Sequence, residues 1–217
     1  VKATYTLGVL VLVSLFLQLS LPSAFAAKIS DLVEIIGAYP SQGSQAEKDD
    51  FETLLRWQEV RTPEQCAKAE TEASISFESF FGGDNGPLSP QEIKRLKHFF
   101  YWHFARAGIP TAKLKDHFQR PRPYDYDLRV KPCVHLADGY AYPSGHTSTS
   151  RAIALVLAKK FPERAELLLK RADEIALNRI IGGVHHPSDI VAGKKLADVL
   201  YQKLIADRKF LFELQAL

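Results

Sequence analysis

Apolar side chains recur at helical spacing along most of this chain. Ala165, Leu168, Leu169, Ala172, Ile175 and Ala176 lie three and four residues apart, which predicts a helix within Pro162–Ile181. The same spacing predicts helices over Glu47–Glu59, from about Thr147 to Lys160, and over Pro187–Ala206. Thr62-Pro63-Glu64 reads as an N-cap followed by proline at the first helical position. Ser89-Pro90-Gln91-Glu92 reads as a capping box. It opens an aromatic helix through Phe99, Phe100, Tyr101, Trp102 and Phe104 that is expected to stop at Gly108. Thr111 is expected to cap a short helix to about Gln119. Breakers mark Phe80–Pro87 as a loop. Residues 120–143, rich in proline and aromatics without a clear period, read as one long ordered loop, a feature that is usually functional inside a compact domain. No stretch alternates long enough to predict a strand. The expected architecture is all-α, a single compact helical bundle.

The first 26 residues do not fit that bundle. Lys2 is their only charge, an apolar run follows from Leu7 to Leu21, and Ala24-Phe25-Ala26 comes after Pro22. This predicts a cleaved secretory signal peptide at 1–26 and a helical domain at 27–217. The rival is a membrane anchor, but the run of about 15 residues is shorter than the roughly 20 that a spanning helix needs. After cleavage the domain is expected in the periplasm or outside the cell, with no stable membrane association. Cys66 and Cys133 are free to pair there, or to stay as two buried thiols; the oxidising compartment favours the bridge. Twenty-eight Lys+Arg against 25 Asp+Glu leave a charge of +3, too even for a broad basic face, so no nucleic-acid partner is expected.

Three segments carry candidate chemistry. Lys115 and Arg122 flank a turn containing Pro121. In Tyr142-Pro143-Ser144-Gly145-His146-Thr147, a hydroxyl, a glycine and a histidine precede a helix start, where free amides attract anions. The third segment puts Arg179 in phase with Leu168, Ala172 and Ile175, so a cation is aimed at the core and needs an anionic partner. That partner is a carboxylate or a bound substrate. His185 and Asp189 stand four apart at the start of the last helix, within reach for Asp189 to hold one imidazole nitrogen and leave the other reactive. A zinc site from His185, His186 and Asp189 lacks a clear further ligand. His98, His103, His117 and His135 are read as packed or surface residues. Phe99–Phe104 is read as core or subunit interface rather than a substrate shelf, so a homo-oligomer is left open. Tyr124, Tyr126 and Tyr142 are candidates for the leaving-group side.

Together the three segments resemble the signature of the phosphatidic acid phosphatase type 2 and vanadium haloperoxidase superfamily: K-x6-R-P, then P-S-G-H, then S-R-x5-H-x3-D. Lys115 with Arg122-Pro123, Pro143–His146, and Arg179 with His185 and Asp189 match it in order. The chain is most similar to the bacterial class A non-specific acid phosphatases, over roughly Ser89–Ala206. Asn178 stands where the third motif has Ser, and Ala141 where the class A version has Ser. The resemblance implies hydrolysis of soluble phosphate monoesters without metal or other cofactor. Lys115, Arg122, Ser144, Gly145 and Arg179 would bind the phosphoryl group. His185, held by Asp189, would form a phosphohistidine, and His146 would act as acid and then base, with an optimum below neutral. A lipid phosphate phosphatase, a vanadium haloperoxidase and a non-catalytic phosphate-binding protein are the alternatives.

Overall fold

The computed structural model describes residues 28–84, 86–104 and 108–217. The segment expected to be a signal peptide, 1–26, lies outside the described residues. The described residues are helical and contain no strand. The elements are α1 (Ile29–Ile36), α2 (Gln45–Val60), α3 (Pro63–Thr71), α4 (Phe77–Phe81), α5 (Pro90–Phe104), α6 (Gly108–Phe118), α7 (Pro123–Tyr126), α8 (Gly145–Lys160), α9 (Ala165–Ile181), α10 (Pro187–Ala206) and α11 (Arg208–Ala216).

Local chemistry explains the starts of several helices. Thr62 and Gln65 form a reciprocal capping box at α3. Ser89 and Glu92 do the same before α5, with Ser89 N donating to Glu92 Oε2 at 2.7 Å and Glu92 N to Ser89 Oγ at 3.3 Å. The centre of the fold is α8, which packs against both α9 and α10. It buries Ala152, Ile153, Ala154, Val156 and Leu157 against Leu168, Ala172, Ile175, Leu196 and Leu200. Burial of this kind stabilises by roughly 1.5–3 kcal/mol per large apolar side chain. Gly193 on α10 lets that helix come close to the start of α8. A Cβ there would lie 2.9 Å from Ser144 O and from Thr147 Cβ.

Several elements differ from the sequence expectation. Helix α8 starts at Gly145 rather than Thr147, because Ser144 is its N-cap and accepts from Thr147 N at 3.3 Å. Phe80 and Phe81 belong to α4, not to a loop; Ser76 caps that helix, and both rings are fully buried. The long loop at 120–143 contains the single turn α7. Thr111 lies inside α6 rather than capping it, with its hydroxyl 3.3 Å from Ser148 Oγ. Phe104 is the last described residue of α5 and Gly108 the first of α6; the expected stop before Gly108 falls on 105–107, outside the described residues. Pro162–Arg164 is a 3₁₀ turn before α9. Helices α1 and α11 were not expected; Leu32, Ile36, Phe210 and Leu214 anchor them to the main core.

Cys66 and Cys133 are joined as a disulfide, with their Cα atoms 5.7 Å apart. It ties α3 to the 120–143 segment, and Cys133 N donates to Gly182 O at the end of α9. Phe99, Phe100 and Phe104 are core, whereas Tyr101 and Trp102 are exposed. His103 is packed, its Nε2 2.8 Å from Glu213 Oε2.

Candidate active site

Four predicted residues, Arg122, His146, Arg179 and His185, line one cavity of about 360 Å³. Each comes from a different element. Helix α6 is followed by Gln119 in the left-handed region (φ 50), which turns the chain toward Arg122 at the N-cap of α7. His146 is in the first turn of α8 and Arg179 in the last turn of α9. His185 lies on the turn from α9 to α10. That turn needs Gly183, whose φ is 77 and whose Cβ would come 3.2 Å from Pro132 Cα.

His185 is 2% exposed and Asp189 0%. His185 Nδ1 is 3.0 Å from Asp189 Oδ2, and His185 Nε2 is 2.9 Å from Arg122 Nη1. A guanidinium only donates, so Nε2 accepts and Nδ1 carries the proton, which it donates to Asp189. Burial and the nearby Arg122 charge hold His185 well below its ordinary pKa, against the Asp189 hydrogen bond, so the ring is neutral at rest. Burial alone would raise Asp189. Hydrogen bonds from His185 and His186 outweigh it and keep the carboxylate ionised.

Arg122 Nη1 also donates to Val184 O at 2.9 Å, and its Nε to Gly139 O at 3.0 Å. Arg179 is 1% exposed and donates through Nη2 to Ala69 O. Its Nε is buried with no hydrogen-bond partner among the described residues, an unused donor beside the cavity. Burial pushes Arg179 down to about 10, with Glu72 and Glu70 opposing, so it stays charged at neutral pH. His146 Nε2 donates to Ala73 O at 3.1 Å. Burial, then the Arg179 charge, pushes His146 down to about 3.

The remaining phosphate-binding candidates sit beside this cavity. Lys115 and Gly145 line an adjoining, larger and mostly apolar cavity of about 710 Å³, walled by Phe77, Phe100, Tyr101 and Phe104. The larger cavity holds neither His146 nor His185, so the smaller one is the candidate site. Lys115 Nζ donates to Tyr140 O and, at 3.2 Å, to Ala141 O. Burial, then the Arg122 charge, pushes it down to about 7. Ser144 is fully buried, and its Oγ accepts from Thr147 N and, at 3.0 Å, from Thr147 Oγ1. Its backbone N–H donates to Asp189 O at 3.0 Å, tying the start of α8 to the start of α10. Tyr124, Tyr126 and Tyr142 do not line the smaller cavity. The Tyr124 hydroxyl donates to Ala137 O, and the Tyr142 hydroxyl to Gly37 O.

The two departures from the motif have local accounts. Asn178 Nδ2 donates to Glu72 Oε2 at 2.8 Å, and Glu72 faces Arg171 Nη2 at 2.7 Å. Ala141 contributes backbone only, its N–H to Arg120 O and its carbonyl to Lys115. Four buried charges escaped the sequence reading: Arg120, Asp50, Glu72 and Arg171. Arg120 is two residues from Arg122, and the proline between them is the only signal it carries. Asp50 and Glu72 look like ordinary charges on helical segments.

Residues 99–199 match the family model described as PAP2 superfamily. A non-specific acid phosphatase of Salmonella typhi is 28% identical over 174 residues, covering 76% of this chain and 70% of that protein. A lipid A 1-phosphatase of Rhizobium etli is 31% identical over 91 residues, 40% of this chain and 39% of that protein. Among solved structures, the transmembrane PAP2-type phosphatidylglycerolphosphate phosphatase of Bacillus subtilis aligns with a TM-score of 0.56 at 17% identity. The alignment covers 89% of this chain and 96% of that one, a likeness of fold.

Proposed function

We propose that this chain, whose residues 99–199 match the PAP2 superfamily model, is an acid phosphatase hydrolysing soluble phosphate monoesters through a phosphohistidine. One observation carries the reading: His185, neutral and with Nδ1 held by Asp189, shares a single cavity with Arg122, Arg179 and His146. In the first step His185 Nε2 attacks phosphorus in line. The P–N bond forms, the P–O bond to the leaving group breaks, and His146 protonates the departing alkoxide. In the second step His146 takes a proton from water, the resulting hydroxide attacks phosphorus, and the P–N bond breaks to release phosphate.

Charge stabilisation dominates phosphoryl transfer. Arg122, Arg179 and Lys115, with the Ser144 hydroxyl and the Gly145 amide, are the groups proposed to meet the phosphoryl oxygens. They supply the compensating charge themselves, so the reading names no metal or other cofactor. The chain is similar to acid phosphatases over most of its length, which favours monoesters of soluble alcohols. Residues 1–26 are proposed as a signal peptide that delivers residues 27–217 to the periplasm or outside the cell. The disulfide suits an oxidising compartment. Among the described residues no helix is long and apolar enough to cross a membrane.

The test is phosphate release from p-nitrophenyl phosphate by the wild-type chain and by His185→Ala. Turnover lost to below about one part in a hundred is expected of the variant. Retention of more than a few per cent of wild-type activity excludes His185 as the nucleophile.

A further inference from the structure

We propose that Asp50 and Arg120 are positioning residues for the nucleophile. They form a buried relay, Asp50–Arg120–Asp189, that fixes the carboxylate behind His185 and sets how strongly it polarises the ring. The proposal rests on His185 being the reacting group.

Asp189 divides its two oxygens between two jobs. Oδ2 faces His185 Nδ1 at 3.0 Å, and accepts from His186 N at 2.8 Å with His186 Nδ1 at 3.3 Å. Oδ1 accepts from Arg120 Nη1 at 2.7 Å. Arg120, 3% exposed, reaches onward through Nη2 to Asp50 Oδ2 at 2.9 Å. Asp50, 5% exposed, also accepts from Ser188 N at 2.9 Å and from Ser188 Oγ. Ser188 Oγ is 2.6 Å from Arg120 Nη1, which closes the cluster. The Arg120 guanidinium lies over the Tyr39 ring, 5.0 Å from its centroid. The fork therefore has little freedom, and neither does the carboxylate it holds.

Charge counting shows why Asp50 is needed. Arg120 beside Asp189 makes a neutral pair, and a neutral pair does little to draw the Nδ1 proton or to enrich Nε2. The Asp50 carboxylate restores one net negative charge behind the ring. In front of the ring stand the Arg122 and Lys115 cations, both of which disfavour a charged imidazole. The groups facing His185 and Asp189 are thus Arg122, Lys115, His186, Arg120 and Asp50. Only Asp50 offsets Arg120. It comes from α2, outside the residues 99–199 that match the family model.

The experiment compares wild type, Asp50→Asn, Arg120→Lys and Ser188→Ala. It reads kcat and KM for p-nitrophenyl phosphate, and the far-downfield proton signal of His185 Nδ1–H. Outer partners that orient metal-bound histidines typically carry about tenfold to a hundredfold in affinity or activity. Asp50→Asn is expected to lower kcat by about that factor, with KM within about twofold and the Nδ1–H signal displaced. Arg120→Lys keeps the charge but loses the fork, and should fall in between. If Asp50→Asn does not fold, Ser188→Ala loosens the same cluster by one hydroxyl, with roughly a threefold to tenfold loss of kcat expected. A folded Asp50→Asn, or in its place Ser188→Ala, with wild-type kcat or an unmoved Nδ1–H signal overturns the proposal. Wild-type protein without phosphatase activity overturns the phosphatase reading instead, and the Nδ1–H signal still tests the relay.

Discussion

Arg122 Nη1 donates to Nε2 of His185 at 2.9 Å, so the nitrogen proposed to attack phosphorus is capped by a cation proposed to bind phosphate. A phosphoryl dianion offers that guanidinium stronger acceptors than an imidazole does. Substrate binding should therefore pull Arg122 off Nε2 and expose the lone pair at the moment the phosphoryl group arrives. Arg122→Lys keeps a charge but loses the fork. Its kcat/KM should fall by about 10²–10³, the range for loss of one preorganised donor. Protein quenched in alkaline denaturant should still carry base-stable, acid-labile phosphate on His185. A variant with unchanged kcat/KM contradicts this role.

The burial of His146 and Lys115 also predicts an uptake of protons when an anion binds. His146 is pushed down to about 3, and Lys115 to about 7, in each case first by burial and then by a neighbouring arginine. A bound dianion reverses both penalties. At about pH 5.5 Lys115 is already charged, so a proton taken up on binding belongs to His146; at about pH 8 it belongs largely to Lys115. Sulfate, which does not titrate in this range, is the probe, with calorimetry in buffers of different ionisation heat. Affinity should fall by up to about tenfold per pH unit above about 7, because the unprotonated Lys115 must first be recharged. The expected acidic optimum follows from the complex with the anion, since His146 by itself is held neutral by burial and Arg179. Sulfate binding that is flat from acid to base, with no proton uptake, contradicts this linkage.

Much of this arrangement is legible in the sequence, because local rules produce it. Capping chemistry predicts the starts of α3 and α5, and the helical period places Arg179 inside the core. Spacing brings His185 within one turn of Asp189. The rest depends on contacts far apart in the chain. Asp50 meets Arg120 across 70 positions and Ser188 across 138, and nothing near Asp50 marks it. Ser144 looks like a free hydroxyl on a rim, yet its first use is to cap α8. Lys115 is half-spent on the carbonyls of Tyr140 and Ala141, whose position depends on how the 120–143 segment folds back.

The disulfide supports the wall of the site from α3. Its loop of 67 positions gives about 4 kcal/mol on the chain-entropy account. Reduction under native conditions, or the double Cys66→Ser, Cys133→Ser variant, should lower the melting temperature by roughly 8–16 °C. Glu70 and Thr71, at the end of α3, line the smaller cavity, so sulfate affinity should weaken as well. An unchanged melting temperature would show that the packing of Val134 and Val184 against Ala69 holds this wall by itself.

Gly193 is an exacting packing position near the candidate site. It lies on α10 one turn beyond Asp189, facing the N-terminus of α8. The atoms that an added Cβ would meet at 2.9 Å are the backbone oxygen of Ser144 and Cβ of Thr147, neither of which is the end of a flexible side chain. Gly193→Ala must therefore push α8 and α10 apart. Overpacking of this kind costs about 1–3 kcal/mol. The displacement falls where Ser144 N donates to Asp189 O, the bond that sets His146 on α8 against His185 ahead of α10. The variant should lose stability by that amount in denaturant titration. It should also lose kcat more than a surface substitution of equal destabilisation, such as one at Val191, does. Equal losses from the two would mean that the spacing of α8 and α10 matters for folding alone.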